Sequence, residues 1–470
     1  MPANLNLPAQ VAINAWTDEA ADSVGALAGV TKPWATVPAP KSMMTLAAEI
    51  PNIRDWANDE VGWGLVMAHR QDVSAADSAA LVEMPEAIKE LVKFRRGVVL
   101  GWSPECGTQR LIRYLADGTT KNVKIGADVD RGKASDALPQ YLLILGGPVE
   151  IPWLVQYTLN LCAAVGRLDL KGIGLENYVA AVVSNWTKTG TPLEVANCFL
   201  WSVNRGGTDI TALMQATVAS PVLEALQKDN QIGAKAQFRF DQDATHAELK
   251  KVLSANKPGL VVTTSHGRTG PLGDPATMQR DLGLPVDKDN TIFTPSDLLD
   301  VWEPNGAIWY AHACCSAGCD KGSVFADLFK PTPLSKTLER IGGLGAQSAP
   351  LPLALLGAKK PLRAFIGHVE PTFDWTLISV DMTQPLTASI KYALYNNLFE
   401  KNPMTVGGAF DRYFRQVGTL FNEQDTALTD LQHFVDGAER MALRARLGAL
   451  DRRSLVIHGD PAVALPALGA

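Results

Sequence analysis

Two residues carry the chemistry that this sequence offers most plainly, His266 and Cys314. Each closes an apolar run: residues 259–265 lead into His266-Gly267, and residues 306–313 lead into Cys314. A thiol becomes a strong nucleophile only as the thiolate, and an imidazole within reach can take its proton. Acyl transfer also needs N–H donors where negative charge develops. Gly267, lacking a side chain, lets a substrate carbonyl approach its amide, and the amide of Cys314 is the second candidate donor. Taken singly, a strand-end histidine or a buried cysteine is usually structural. Taken together, at the ends of two such runs, they support each other.

Their value depends on the elements that hold them. Apolar runs without alternation suit strands covered on both faces. Such runs occur at residues 97–101, 141–145, 198–203, 258–265 and 306–313, with a shorter candidate at 237–240. Helical segments separate them. Thr245 with Glu248, and Thr294-Pro295 with Asp297, are helix starts. Strands alternating with helices predict an α/β fold with a mostly parallel, doubly wound sheet. Ligands bind such sheets at the carboxyl ends of the strands, where both His266 and Cys314 fall. The chain divides into an N-terminal accessory region (1–95), a smaller non-catalytic α/β subdomain (96–190) and a catalytic domain (191–470). In the accessory region only the amphipathic helix after Pro85, with Ile88, Leu91 and Val92 on one face, is strongly patterned.

With 470 residues, the chain is too long for one ordinary core. Hydrophobic residues make up 46%, charged residues 20%, and the net charge is −6. That balance gives no electrostatic reason to bind nucleic acid or an anionic membrane. The opening residues lack a basic stretch followed by an apolar one, so the expected location is cytoplasmic. The charge-free stretch from Ile341 to Ala358, rich in Gly and Pro, reads as a loop. Six cysteines, three of them crowded at 314, 315 and 319, do not form a disulfide framework and read as reduced thiols. Arginines between Arg440 and Arg453 read as a solvated helix face. No cofactor is expected.

The blocks Gly259-Leu-Val-Val-Thr-Thr-Ser-His-Gly267 and Ala307-Ile-Trp-Tyr-Ala-His-Ala-Cys-Cys-Ser316 resemble the paired signature of caspase-like cysteine peptidases, the group (clan CD) that includes caspases, metacaspases, gingipains and CHAT domains. Two further segments lean toward the gingipain and CHAT side. Tyr141-Leu-Leu-Ile-Leu-Gly-Gly-Pro-Val-Glu-Ile-Pro152, followed by Val165-Gly-Arg167, resembles the non-catalytic gingipain subdomain. Ser454-Leu-Val-Ile-His-Gly-Asp-Pro461 resembles the strand that closes these domains. The resemblance spans residues 97–470. It implies a caspase-like three-layer sandwich and peptide hydrolysis through a thioester, with His266 as general base and Cys314 as nucleophile. Cys315 falls on the variable position after the nucleophile. No third catalytic residue is assigned; Asp274 and Asp320, near in sequence, read as solvated loop charges.

The resemblance further implies that the residue before the cut is read by the loop Asn204-Arg-Gly-Gly-Thr-Asp209. Asp209 would pair with a basic side chain and Arg205 with an acidic one. Glu370, Asp374 and Trp375 are further candidates for that pocket and tilt the balance toward a basic residue. The implied partners are a protein or peptide substrate and an activating protein, as in microbial defence or cell-death pathways. Self-cleavage within residues 268–290 is an alternative route to activation. Two competing readings stand beside the peptidase. One is a catalytically silent interaction module on the same fold. The other is a Cys/His metal site in His312-Ala-Cys-Cys-Ser-Ala-Gly-Cys319, though the spaced second pair of a zinc site is lacking.

Overall fold

The computed structural model describes residues 13–18, 31, 37, 52, 54–189, 193–329, 332–378 and 384–469. Most of residues 1–53, which form much of the accessory region, lie outside the described residues. In chain order the strands are β1 (Ala15–Trp16), β2 (Trp63–Ala68), β3 (Val98–Trp102), β4 (Arg110–Tyr114), β5 (Thr120–Lys124), β6 (Tyr141–Leu145), β7 (Ala164–Leu168), β8 (Glu194–Ser202) and β9 (Gln237–Phe240). They continue with β10 (Pro258–Thr264), β11 (His266–Arg268), β12 (Pro285–Val286), β13 (Ile308–His312), β14 (Gly318–Cys319), β15 (Gln347–Ser348), β16 (Ala364–His368) and β17 (Leu455–His458).

One 12-stranded sheet runs in the order β5-β4-β3-β2-β6-β7-β17-β16-β13-β10-β8-β9. Its pairings are parallel except at β3–β4, β4–β5 and β16–β17. The α/β, mostly parallel expectation holds. Adjacent residues of a strand serve different cores: Leu65 and Leu143 pack in one hydrophobic cluster, Val66, Leu142 and Ile144 in another. Both faces are therefore covered, which is why these strands read as unbroken apolar runs.

The two halves that the sequence separates share this sheet, joined where β17 meets β7 at His458 and Arg167. Gly166 allows that join, because a Cβ there would lie 2.0 Å from the carbonyl oxygen of Gly459. Asp460 follows. It is fully buried and accepts from Arg95 at 2.7 Å and from the Trp63 indole at 3.0 Å. The Gly-Asp-Pro ending thus stitches the last strand to the first half. Strand β2, within the stretch set aside as accessory, lies between β3 and β6 in the same sheet. Its residues Gly64 to Ala68 pair with β3 and its first four with β6.

Local signals translate as physics dictates. The helix Glu86–Phe94 buries Ile88, Leu91 and Val92. Thr245 caps the helix His246–Asn256, and Thr294 with Asp297 forms a capping box on Pro295–Leu299. Two expectations need correction. Pro350–Leu356, read as loop, is a helix. Proline is tolerated in a first turn, and Leu351, Leu355 and Leu356 bury the apolar face. Arg452 and Arg453, read as solvated, turn inward from the helix Ala438–Arg453: Arg452 donates to Gln416 at 2.9 Å, and Arg453 lies 5.2 Å over the Tyr157 ring. That helix packs as a hairpin on Val406–Gln432.

Candidate active site

Register brings the site together. Thr264, the last residue of β10, pairs with Ser202 at the end of β8 and with His312 at the end of β13. Three strands therefore finish at one edge, and the loops that follow them carry Asp209, His266 and Cys314. His266 opens β11, which pairs antiparallel with β12 through His266–Val286 and Gly267–Pro285. The ring is locked in place and 1% exposed.

Its Nε2 meets Asp209 Oδ2 at 2.9 Å. Asp209 is itself fixed, because it caps the helix Ile210–Met214. Its Oδ1 accepts from the Thr211 amide at 2.8 Å and from the Thr211 hydroxyl. Burial works to raise the Asp209 carboxyl, but its hydrogen bonds to His266 and Thr211 prevail and hold it at about 2. An ionised carboxylate therefore faces the imidazole. The other ring nitrogen, Nδ1, is buried and has no hydrogen-bond partner among the described residues.

Cys314 lies fully buried against the next element. Its sulfur accepts from the Thr372 amide at 3.1 Å. Burial pushes this thiol up, and the contacts with Thr372 oppose it. Gly267 packs on the same residue: a Cβ at Gly267 would fall 1.9 Å from the Cys314 carbonyl oxygen and 3.0 Å from its amide nitrogen. Only glycine fits between the histidine strand and the cysteine turn. No hydrogen bond joins His266 to the Cys314 sulfur among the described residues.

Cys315 has a left-handed backbone (φ 55°), and its amide donates to the Glu370 carbonyl at 3.1 Å. Burial raises its thiol well above the ordinary range. Cys319 donates to the Gly345 carbonyl at 3.2 Å. His312 meets the Tyr310 hydroxyl at 2.9 Å and packs edge-on against His368. The members of the cluster that suggested a metal thus have separate partners. No group of three or more potential ligands is assembled among the described residues.

The residues expected to read a substrate are placed differently from one another. Asp209, expected to pair with a substrate cation, instead spends its carboxylate on His266 and Thr211. Arg205 lies 4.2 Å over the Trp16 ring and donates to the Asp287 carbonyl at 2.6 Å and to Asn290. Glu370 is buried, accepts from the Ser323 hydroxyl at 2.9 Å and is pushed up to about 7 by burial. Asp374 is raised by burial to about 6. Trp375 stacks on Phe373 with centroids 4.4 Å apart. Among the described residues, no hydrogen bond, ion pair or ring contact joins Glu370, Asp374 or Trp375 to His266 or Arg205. Asp274 caps the helix Pro275–Asp281 and Asp320 bonds the Lys321 amide at 2.8 Å, so neither orients His266.

Thr372 and Asp451 escaped the sequence reading. Asp451, fully buried, accepts from the amides of Phe373 at 3.1 Å and Thr376 at 3.0 Å, fixing the loop whose Thr372 meets the sulfur. Only an unusually placed aspartate near the end of an arginine-rich helix could have pointed to it.

No family model matches this chain, and no curated protein does. Among solved structures, it is similar to the Arg-specific cysteine proteinase gingipain R (TM-score 0.43, 12% identity, covering 87% of this chain and 79% of that one). A second, described as "Structure of Protease", gives a TM-score of 0.42 with 12% identity over 87% and 79% of the two chains. No helix among the described residues is long and apolar enough to cross a membrane.

Proposed function

We propose that this protein is a cysteine endopeptidase that cuts protein or peptide substrates with Cys314 as nucleophile and His266 as general acid and base. One observation carries the reading. A histidine held by an ionised carboxylate (His266 Nε2 to Asp209 Oδ2, 2.9 Å) stands at the same sheet edge as a cysteine whose main chain packs on the glycine after that histidine. Asp209 fixes the ring and stabilises the imidazolium, the role of the third member of a catalytic triad. Nδ1, without a partner among the described residues, is the atom left to carry a proton.

In this reaction the Cys314 thiolate adds to the substrate carbonyl carbon. The oxyanion that forms is met by the Gly267 amide, with the Cys314 amide as second donor. The carbon–nitrogen bond breaks as His266 protonates the departing amine, leaving a thioester. Water, deprotonated by His266, then hydrolyses the thioester and regenerates the thiol. Burial, and to a smaller extent the Asp451 carboxyl, raise the thiol, so the thiolate must be drawn out by the imidazole and by the Thr372 amide that already faces the sulfur.

The test is cleavage of a mixed peptide library by the purified chain beside Cys314→Ala and His266→Ala. Cleavage by the wild type, reduced at least about 10³-fold in each variant, is expected. Cleavage that survives Cys314→Ala but not Cys315→Ala would move the nucleophile to the neighbouring residue and overturn this assignment.

A further inference from the structure

The site is occupied by the protein's own chain. Residues 13–16, Ile-Asn-Ala-Trp, cross it in extended form and change walls midway. On the first wall, Ile13 bridges Phe373 in antiparallel sense, and the Asn14 amide donates to the Thr372 carbonyl at 3.0 Å. On the second, β1 runs parallel to β11, with Ala15 opposite Gly267 and Trp16 opposite Arg268. The Thr269 amide donates to the Trp16 carbonyl at 2.7 Å. In a parallel ladder the donors of one strand recur every second residue. That register turns the Gly267 amide toward the Asn14 carbonyl, and Gly267 is the oxyanion donor of the reaction above. The Asn14 amide also faces the Cys314 thiol closely enough to oppose the rise that burial gives it.

The side chain of Asn14 is as informative as its carbonyl. It is fully buried, and its Nδ2 donates to the His312 carbonyl at 3.3 Å and to the Met214 sulfur at 3.3 Å. Its Oδ1 is buried without a partner among the described residues. A terminal strand that served only to cover apolar surface would gain from an aliphatic residue here, because an orphaned carbonyl costs free energy. The His312 carbonyl at the end of the pocket accepts and cannot donate. A carboxamide satisfies it; a carboxylate would set oxygen against oxygen. A lysine or arginine would bring its charge against the Met214 thioether, with Asp209 already committed to His266.

We infer that residues 13–16 are bound as a substrate, that the bond presented to Cys314 is Asn14–Ala15, and that this pocket selects asparagine at the cut position. The inference rests on the peptidase reading and names its specificity. The step balances as before: the sulfur bonds to the Asn14 carbonyl carbon, the bond to the Ala15 nitrogen breaks, and the Ala15 amine leaves with the proton from His266. Water then releases the Asn14 carboxylate and restores the thiol. Trp16 holds the leaving side in place, with its ring 5.8 Å from that of His266 and under the Arg205 guanidinium. Asp18 pairs with Arg268 at 2.6 Å just beyond.

Incubation of the full chain followed by N-terminal sequencing and intact mass tests this, alongside the peptide library. A product beginning at Ala15, absent from Cys314→Ala and reduced more than tenfold in Asn14→Asp and Asn14→Arg, is expected, with library cuts following asparagine. Library cuts after another residue type, with Asn14–Ala15 intact, would overturn the inference and leave the peptidase reading standing. No cut in the chain or in the library, from either the wild type or Asn14→Gly, would overturn both. Far-ultraviolet circular dichroism of each variant distinguishes a lost cut from a lost fold.

Discussion

At His266 the proposed chemistry would turn on a carboxylate that lies 57 residues away in sequence and 2.9 Å away in space. Replacing Asp209 with asparagine keeps the shape but removes the charge that favours the imidazolium. The expected result is a fall in kcat of about 10²–10⁴-fold with KM little changed, read by steady-state kinetics on a peptide that the wild type cuts. The same carboxylate links stability to pH. Its pKa is depressed from 3.8 to about 2 in the folded chain, so its contribution is fully present above the unfolded value and is lost as pH falls through the folded one. That contribution is about 2 kcal/mol at neutral pH. Urea unfolding at pH 6 and again near pH 2 measures it. The gap between wild type and Asp209→Asn should narrow at the lower pH, and a gap that stays constant would sink the linkage.

The elements explain why the pair forms. β10 ends level with β8 and β13, and the turn after each delivers one functional group. Gly267 is the point at which two of those turns touch. Gly267→Ala pushes a methyl group into the Cys314 carbonyl, only 1.9 Å from the Cβ position, so the turn or the strand must move. Activity should fall more than about 10²-fold, because small displacements of reacting groups carry large penalties. Gly273→Ala, whose Cβ meets nothing within 4 Å, is the matched control and should behave as wild type in the same assay. Equal activity in the two variants would remove Gly267 from the catalytic account.

Over the whole molecule, one continuous sheet supports the site, and the ion pair between Arg95 and Asp460 ties its two halves. Both side chains are almost wholly buried, at 5% and 0% exposure. Asp460→Ala would strand the Arg95 guanidinium and leave the Trp63 indole without its acceptor. A loss of about 3–5 kcal/mol is expected from urea denaturation. The two halves should still unfold in one transition, because β7 and β17 are neighbours in the same sheet. Separate transitions would show that the halves are independent units.

The strands at 141–145, 258–264 and 308–312 were legible because burial on both faces writes unbroken apolar runs. The helix starts at Thr245 and Thr294 were legible because capping is a local hydrogen bond. The strand-end positions of His266 and Cys314 followed from the same patterns. The helix at Pro350–Leu356 was hidden by prolines whose tolerance depends on their place in a first turn. The inward turn of Arg452 was hidden because its acceptors, Gln416 and the Thr376 carbonyl, lie on other elements. The bond from Asp209 to His266, the seat of Cys314 against Thr372, and the passage of Asn14 between them have no local signature. Hydrophobic periodicity and capping act within a few residues, and the sequence by itself determined what they govern. Which loop group meets which depends on strand order and register, and those exist only once the sheet has assembled.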